Sequence, residues 1–142
     1  MRAVLDPGVI VDALITPAGV CGRVLRAALD DEYTLVVSPE LLAELEAVLM
    51  REKFRPYLSE AEATSAFSLL ARVAELCADP VELNRISPDP DDDYLIALAG
   101  AAGVEYLVSG DRDLVQLARV EPPIVTPRGF LESLPGRPAA DS

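Results

Sequence analysis

The sequence predicts an α/β fold in which helices cover a parallel, doubly wound sheet. Short apolar or β-branched runs, typical of buried strands, alternate along the chain with segments of helical periodicity. The chain has 142 residues, of which 51% are hydrophobic, so it can form one core and one domain. In such folds ligands bind outside the carboxyl ends of the strands, so the residues that follow each strand are the first candidates for a site.

The first half of the chain is expected to contain two strands and four helices. The first strand is apolar and ends at Asp6. Ser38 and Pro39 provide an N-cap and a proline at the first helical position, which predicts the start of the third helix. Ser59 is expected to cap a long helix that ends near Cys77. The predicted strands are 3–5 and 33–37, and the predicted helices are 9–15, 21–29, 39–50 and 59–77.

The second half is expected to contain three short strands and two helices. Residues 81–83 are apolar enough for a short strand, and the acidic run 87–93 opens a helix that Gly103 stops. Residues 135–142 are expected to form a disordered tail, which leaves one domain over residues 1–134. The remaining predicted elements are strands over 105–108 and 123–125 and a helix over 127–134.

The composition excludes several kinds of catalytic site. The chain has no His, which removes Ser–His and Cys–His nucleophile pairs and His-ligated metal sites. Acidic residues outnumber basic ones 24 to 12, and the net charge of −12 gives no bulk attraction to nucleic acid. Carboxylates remain as the reactive groups, and a polyanionic substrate would require a bound cation.

The cysteines and the apolar pattern indicate a soluble protein of the cytoplasm. Cys21 and Cys77 both fall in segments predicted to be helical, where buried thiols are expected rather than a disulfide. The sequence has no cationic, apolar signal at its start and no apolar run of about 18 residues that could span a membrane. No membrane partner is therefore expected.

Two acids lie at the places where this fold forms its ligand crevice. Asp6 and Asp111 each come directly after the carboxyl end of a predicted strand. Taken singly, each is explained as the cap of the helix that follows. Their joint occurrence favours a site.

The aspartates of the acidic run have to be considered one by one, because any aspartate in a first helical turn is stabilised by the helix dipole. The residues three, four and seven positions after Asp92 are apolar, so Asp92 is expected to point toward the core, whereas Asp93 faces more outward. A buried acid is costly unless a cation or a donor meets it, which makes Asp92 the better ligand. Asp89, Asp91 and Asp93 are expected to be solvated capping residues.

The glutamates of the third helix cannot be separated by periodicity. Glu44 and Glu46 flank the apolar stripe of that helix at similar angles on opposite sides. A third possibility is that both, with Glu40, form a solvated helix face.

One basic segment contains interleaved aromatic residues. Arg51, Lys53 and Arg55 alternate with Phe54 and lie close to Tyr57. Such a segment could follow a nucleic-acid backbone and stack on bases. Cations that follow the carboxyl end of a helix are the commoner explanation.

Five motifs, taken in order, resemble the PIN-domain family, and more narrowly its toxin components of the VapC type. The resemblance covers residue 1 to about residue 134. The motifs are VLD (4–6) with the helix after it, SPELLAEL (38–45), DPDDDYLIALA (89–99), GVEYLVSGDRDL (103–114) and TPRGFL (126–131).

The resemblance implies a three-layer α/β/α sandwich and a ribonuclease whose acids bind Mg²⁺ or Mn²⁺. The partners it implies are an RNA substrate and a cognate antitoxin protein, and it leaves a homodimer open. Carried over by motif, the catalytic and metal-binding residues are Asp6, Glu44, Asp92 and Asp111, with Ser109, Asp93 and Asp113 as secondary candidates.

One departure from the family pattern leaves an alternative function open. The first acid is usually followed by a polar pair, whereas this chain has Pro7 and Gly8. We expect Asp6 to lack hydrogen-bonding support, at a cost of about 10- to 100-fold in metal affinity. The alternative is a weakened or inactive PIN fold that serves as a binding or assembly module.

Two other functions fit the sequence poorly. A response-regulator receiver requires a lysine after a late strand, but the only lysine is Lys53, between two early helices. A phosphatase with an Asp-x-Asp nucleophile pair would need an acid where Gly8 stands.

Overall fold

The computed structural model of the protein describes residues 1–84, 89–117 and 120–135. Over these residues the strands are β1 (Arg2–Leu5), β2 (Thr34–Val37), β3 (Glu75–Leu76), β4 (Tyr106–Val108) and β5 (Ile124–Val125). They form one sheet in the order β3-β2-β1-β4-β5, and every pair is parallel. The predicted parallel sheet is confirmed, as is the three-layer α/β/α arrangement that the resemblance implies.

The helices begin and end largely where the caps in the sequence place them. Ser38, Ser59 and Thr126 each accept a hydrogen bond from the first turn of a helix, and Gly103 ends one with φ of 68°. The α-helices of the described residues are α1 (Pro7–Ile15), α2 (Val20–Leu29), α3 (Pro39–Leu49), α4 (Glu60–Val73), α5 (Pro90–Ala102), α6 (Arg112–Val115) and α7 (Pro127–Ser133).

The predictions for the region after α4 are wrong. The helix expected to reach Cys77 ends at Val73, and the chain then forms β3, which pairs with β2. Residues 81–83 are not a strand, and Val81 is 98% exposed. Pairing with a neighbouring strand overrides the local helical pattern here. Cys77 therefore follows a strand, and it and Cys21 are half-buried free thiols rather than fully buried ones.

Two smaller differences concern short elements and the chain end. The four-residue helix α6 follows Asp111, where the sequence predictions give no helix range, and a 3₁₀ turn covers Glu52–Phe54. Residues 87, 88 and 136–142 lie outside the described residues, so the predictions for the start of the acidic run and for most of the tail stay predictions. In the described part of the chain no single helix is long and apolar enough to span a membrane, and α1 and α2, which together reach that length, meet at a bend of 100°.

The order of the strands fixes where a ligand crevice forms. The central strand β1 is fully buried at Ala3, Val4 and Leu5, with β2 on one side and β4 on the other. The connections run in opposite directions from β1, so the crevice of this sheet opens between the carboxyl ends of β1 and β4. The residues that follow these two strands therefore line it.

Candidate active site

Ser109 connects the two acids at the strand ends. Leu5 and Val108 are paired in register, so Asp6 after β1 and the turn after β4 lie side by side. The hydroxyl of Ser109 is fully buried, donates to Oδ2 of Asp6 at 3.0 Å and accepts the backbone N–H of Asp111 at 3.0 Å. One hydroxyl thus fixes both the first acid and the backbone of the last one.

Asp6 has more hydrogen-bonding support than the sequence indicated. Its Oδ1 accepts the backbone N–H of Gly8 at 3.0 Å, and its Oδ2 accepts the hydroxyl of Ser109. Pro7, which lacks an N–H, occupies the first position of α1. The expectation that Pro7 and Gly8 leave this acid without support is therefore wrong, because a backbone donor does what a polar side chain was expected to do.

Asp111 also serves as a helix cap. Its Oδ1 accepts the backbone N–H of Asp113 at 2.9 Å at the start of α6. From the sequence, helix capping and crevice lining are alternatives for Asp6 and Asp111. In the structure each of the two residues does both. The two acids line a cavity of about 260 Å³.

Asp92 is electrostatically coupled to both strand-end acids. It is half-buried in the first turn of α5. Burial, and then the negative charges of Asp89, Asp111, Asp6 and Asp91, raise the pKa of Asp92 to about 6. Three elements that are distant in the sequence therefore bring like charges together at the crevice.

Glu44 lies on the same side of the molecule as Asp6 and the start of α5. Glu46 does not share these surroundings. Glu44 is half-buried, and its pKa is raised by burial and then by the charges of Asp91 and Asp6. Glu46 is exposed. The structure thus brings Glu44, and not Glu46, toward Asp6 and Asp91, a choice that periodicity alone could not make.

The prediction that Asp93 faces outward into solvent is wrong. It is 6% exposed and lines a cavity of about 300 Å³ with Glu82, Asn84 and Glu121, away from Asp6 and Asp111. The prediction failed because α5 is buried on nearly all sides and has no single apolar stripe. Its buried residues are Asp93, Tyr94, Leu95, Ile96, Leu98 and Ala99.

The other members of the acidic run match their predicted positions. Asp89 is the N-cap of α5 and accepts the backbone N–H of Asp91 at 2.9 Å. Asp91 is exposed. Asp113, a secondary candidate, is exposed next to Asp111.

Two residues that line the crevice were not singled out from the sequence. Asp12 and Cys21 line the same cavity as Asp6 and Asp111. The signal for Asp12 was available, since it is the one charged residue in an otherwise apolar helix and lies one turn after the exposed Gly8. Burial and the charge of Asp12 raise the pKa of the Cys21 thiol.

The donor set fits a hydrated hard cation better than a closed metal cage. Within the described part of the chain, no three His, Cys, Asp or Glu side chains lie close enough together to enclose a metal ion. Magnesium is typically held through one or two carboxylates and keeps several waters. Asp6, Asp92 and Asp111 provide carboxylate oxygens of this kind, and their charges already act on one another.

The basic segment supports helix α3 at its carboxyl end. A guanidinium nitrogen of Arg55 donates to the carbonyl oxygen of Leu49 in the last turn of α3. The ammonium of Lys53 lies 5.1 Å from the ring centre of Phe54. For Arg55 the capping explanation is confirmed.

Solved structures and one curated protein resemble this chain. The crystal structure of VapBC2 from Rickettsia felis, bound to a DNA fragment from their promoter, matches with a TM-score of 0.62 and 15% identity over 88% of this chain and 97% of that one. The crystal structure of PAE2754 from Pyrobaculum aerophilum matches with a TM-score of 0.57 and 16% identity over 88% of this chain and 83% of that one. Both likenesses show the fold.

In sequence, the uncharacterized protein MJ1680 of Methanocaldococcus jannaschii is 25% identical over 142 residues, covering 93% of this chain and 90% of that protein. The family described as PIN domain matches residues 2–113, most of the chain. That range contains Asp6, Glu44, Asp92, Asp111 and Ser109. The chain belongs to the PIN domain family.

Proposed function

We propose that the protein is a metal-dependent endoribonuclease. Members of the PIN domain family are generally nucleases, which are hydrolases of phosphodiester bonds. The observation that carries the proposal is the coupling of Asp92 to Asp6 and Asp111 at the point where the strand order reverses. Such a cluster of like charges is costly in a structural role and useful where a cation and a phosphate meet.

The residues of the crevice have distinct tasks in this proposal. Asp6, Asp92 and Asp111, with Glu44 beside them, would hold Mg²⁺ or Mn²⁺, and such an ion would supply positive charge to the phosphoryl group and lower the pKa of a water molecule. Ser109 and the N–H of Gly8 keep both oxygens of Asp6 in fixed directions. The negative charge of these carboxylates would repel a bare polyanion, so RNA would bind there only together with the cation.

A second part of the proposal concerns a protein partner. We propose that the chain is the toxin of a toxin–antitoxin pair, supported by its likeness in fold to the VapBC2 structure. A small DNA-binding protein encoded beside this chain, which co-purifies with it and suppresses its nuclease activity, is the expected result. A chain that is active but has no such neighbour would retain the nuclease proposal and lose the toxin proposal.

The nuclease proposal is tested with the purified chain and a single-stranded RNA of mixed sequence. Cleavage is measured with Mg²⁺, with Mn²⁺ and with EDTA, and DNA of the same sequence serves as the comparison. We expect cleavage of RNA only with a divalent cation, and its loss in Asp6→Asn, Asp92→Asn and Asp111→Asn.

Glu44→Gln and Glu46→Gln form a matched pair, because both lie on α3 and only Glu44 is close to the acidic cluster. Cleavage should fall in Glu44→Gln and stay near wild type in Glu46→Gln. Absence of cleavage under every condition, from folded protein, would support the alternative of an inactive binding module.

A further inference from the structure

A chain of hydrogen bonds joins the starts of helices α3 and α5 on the side of the crevice that holds Glu44. The backbone N–H of Leu41 donates to Oγ of Ser38 at 3.2 Å, and that hydroxyl is hydrogen-bonded to the hydroxyl of Tyr94. The Tyr94 hydroxyl donates to Oδ1 of Asp79 at 2.6 Å. The same Oδ1 accepts the backbone N–H of Glu40 at 3.1 Å.

The directions of these bonds are set by the groups at the two ends. Ser38 is fully buried and Tyr94 is 7% exposed, so both hydroxyls are largely shielded from water. The hydrogen bond from Tyr94 lowers the pKa of Asp79, which is therefore an acceptor at neutral pH. With Asp79 accepting from Tyr94 and Ser38 accepting from the backbone, the remaining Ser38 proton points to Tyr94.

These hydrogen bonds link two helices that otherwise pack on different parts of the fold. Helix α3 packs mainly on α1 and α4, whereas α5 packs on β1 and β4. Tyr94 lies two residues after Asp92 on α5, and Ser38 caps the helix that carries Glu44. The distance between the acids of α3 and α5 thus depends on a contact outside the acidic cluster.

The like charges at the starts of α3 and α5 oppose the contact between these two helices. Glu44 on α3 and the acids Asp89 and Asp91 at the start of α5 carry like charges that act on one another, so the two helix starts repel each other. The hydrogen bonds that join the two helices oppose this repulsion. The hydroxyl of Tyr94 is the group that crosses from α5 to α3 and to Asp79.

We propose that Tyr94 and Asp79 are positioning residues that hold Glu44 and Asp92 at the spacing needed to bind a divalent cation. The inference rests on the proposed function, because it concerns the same acidic crevice. Neither residue contacts the cation or the RNA in this role. Each acts through the helix that it holds.

The chain offers substitutions that separate positioning from general stability. Tyr94→Phe removes only the hydroxyl and keeps the ring. Asp79→Asn keeps an Oδ1 that can accept both hydrogen bonds, whereas Asp79→Ala removes the acceptor. Tyr33→Phe is the matched control, because Tyr33 is also buried and its hydroxyl donates to the carbonyl oxygen of Val24 at 2.9 Å, within the core.

The test measures Mn²⁺ binding by titration calorimetry and backbone amide exchange by NMR in the metal-free protein. We expect Tyr94→Phe and Asp79→Ala each to weaken Mn²⁺ binding by about tenfold, with no further loss in the double variant. Asp79→Asn and Tyr33→Phe should bind Mn²⁺ like wild type. Exchange at Glu40 and Leu41 should be faster in Tyr94→Phe than in Tyr33→Phe.

Three outcomes would overturn the inference in distinguishable ways. Wild-type Mn²⁺ affinity in Tyr94→Phe would show that the hydroxyl only stabilises the fold. Unchanged exchange at Glu40 and Leu41 in Tyr94→Phe would show that no tie exists, whatever the metal does. A wild-type chain that neither binds Mn²⁺ nor cuts RNA would overturn the proposed function itself, and the positioning role with it.

Discussion

The hydroxyl of Ser109 donates to Oδ2 of Asp6 across two neighbouring strand ends, with 3.0 Å between the oxygen atoms. Because that hydroxyl also accepts the backbone N–H of Asp111, a single buried serine sets the relative position of two acids that are more than 100 residues apart in sequence. The relative position of these two acids is therefore built into the strand pairing of β1 and β4.

Ser109→Ala should lower both the affinity of the crevice for Mn²⁺ and the free energy of unfolding. The substitution leaves Oδ2 of Asp6 without the Ser109 donor and the backbone N–H of Asp111 without its acceptor, at a cost of about 1–3 kcal/mol in the free energy of unfolding. Mn²⁺ affinity should fall by about 10-fold or more. Denaturation and titration calorimetry measure the two effects. Ser133→Ala, which removes a hydroxyl bonded to the carbonyl oxygen of Phe130, is the control and should leave Mn²⁺ affinity unchanged.

Asp92 should make the metal-free protein less stable as the pH rises. Its pKa is about 6 in the folded chain, against about 3.9 in an unfolded one, so the folded state binds more protons between these values. The contribution of Asp92 to the free energy of unfolding is complete below about pH 4 and is lost as the pH rises through 6. Because Asp92 is only half-buried, solvent screens its charge and the loss is about 1–2 kcal/mol.

Denaturation of the metal-free protein at pH 4, 5, 6 and 7 measures this loss. Asp92→Asn should lack that component and be more stable than wild type at pH 7. Parallel pH profiles of the two proteins would mean that Asp92 is not coupled to the other acids.

Gly8→Ala should be tolerated. A Cβ at this position would lie 3.6 Å from Oδ1 of Asp6, an ordinary contact, and Gly8 lies within helix α1. Alanine should raise the free energy of unfolding by about 0.5–1 kcal/mol. Because the Gly8 N–H is kept, RNA cleavage should stay within about threefold of wild type. Loss of cleavage with a gain in stability would show that the crevice needs the open space beside Asp6.

Gly22→Ala should damage the fold. A Cβ at Gly22 would lie 1.9 Å from the backbone carbonyl oxygen of Pro17, so α2 or the turn before it must move. We expect a loss of about 2–3 kcal/mol or more in the free energy of unfolding. Gly100→Ala is the control, since its Cβ would lie 3.7 Å from the nearest backbone oxygen, that of Glu121. Equal stability of the two variants would contradict the close packing of α2 on Pro17.

Local signals in the sequence were sufficient for most of the fold. The strand-acid-helix pattern at Asp6, the Ser38-Pro39 cap and the glycine stop at Gly103 each depend on residues close together in the chain, and each prediction is confirmed. Asp6 and Asp111 could be found because strand ends in this fold meet at one edge of the sheet.

Features that depend on tertiary contacts could not be predicted in the same way. Strand β3 has two residues and is defined by its pairing with β2. Asp93 is buried because elements on several sides cover α5, which no single periodicity reveals. The support that Asp6 receives from Gly8 is a backbone donor, and a comparison of side-chain types overlooks it. The contact between Tyr94 and Asp79 joins two segments whose relative position only the fold determines.

We propose that Asp6, Asp92 and Asp111 together bind a hydrated divalent cation. The most direct measurement is the melting temperature of the wild-type chain in Mn²⁺, against Na⁺ at matched ionic strength. A cation that binds only the folded state at about a hundredfold excess over Kd contributes about 2.7 kcal/mol, or on the order of 5 to 10 °C for a domain of this size. We expect that rise in the wild type and its loss in Asp92→Asn. A wild-type melting temperature that is the same in Mn²⁺ and Na⁺ would contradict the claim.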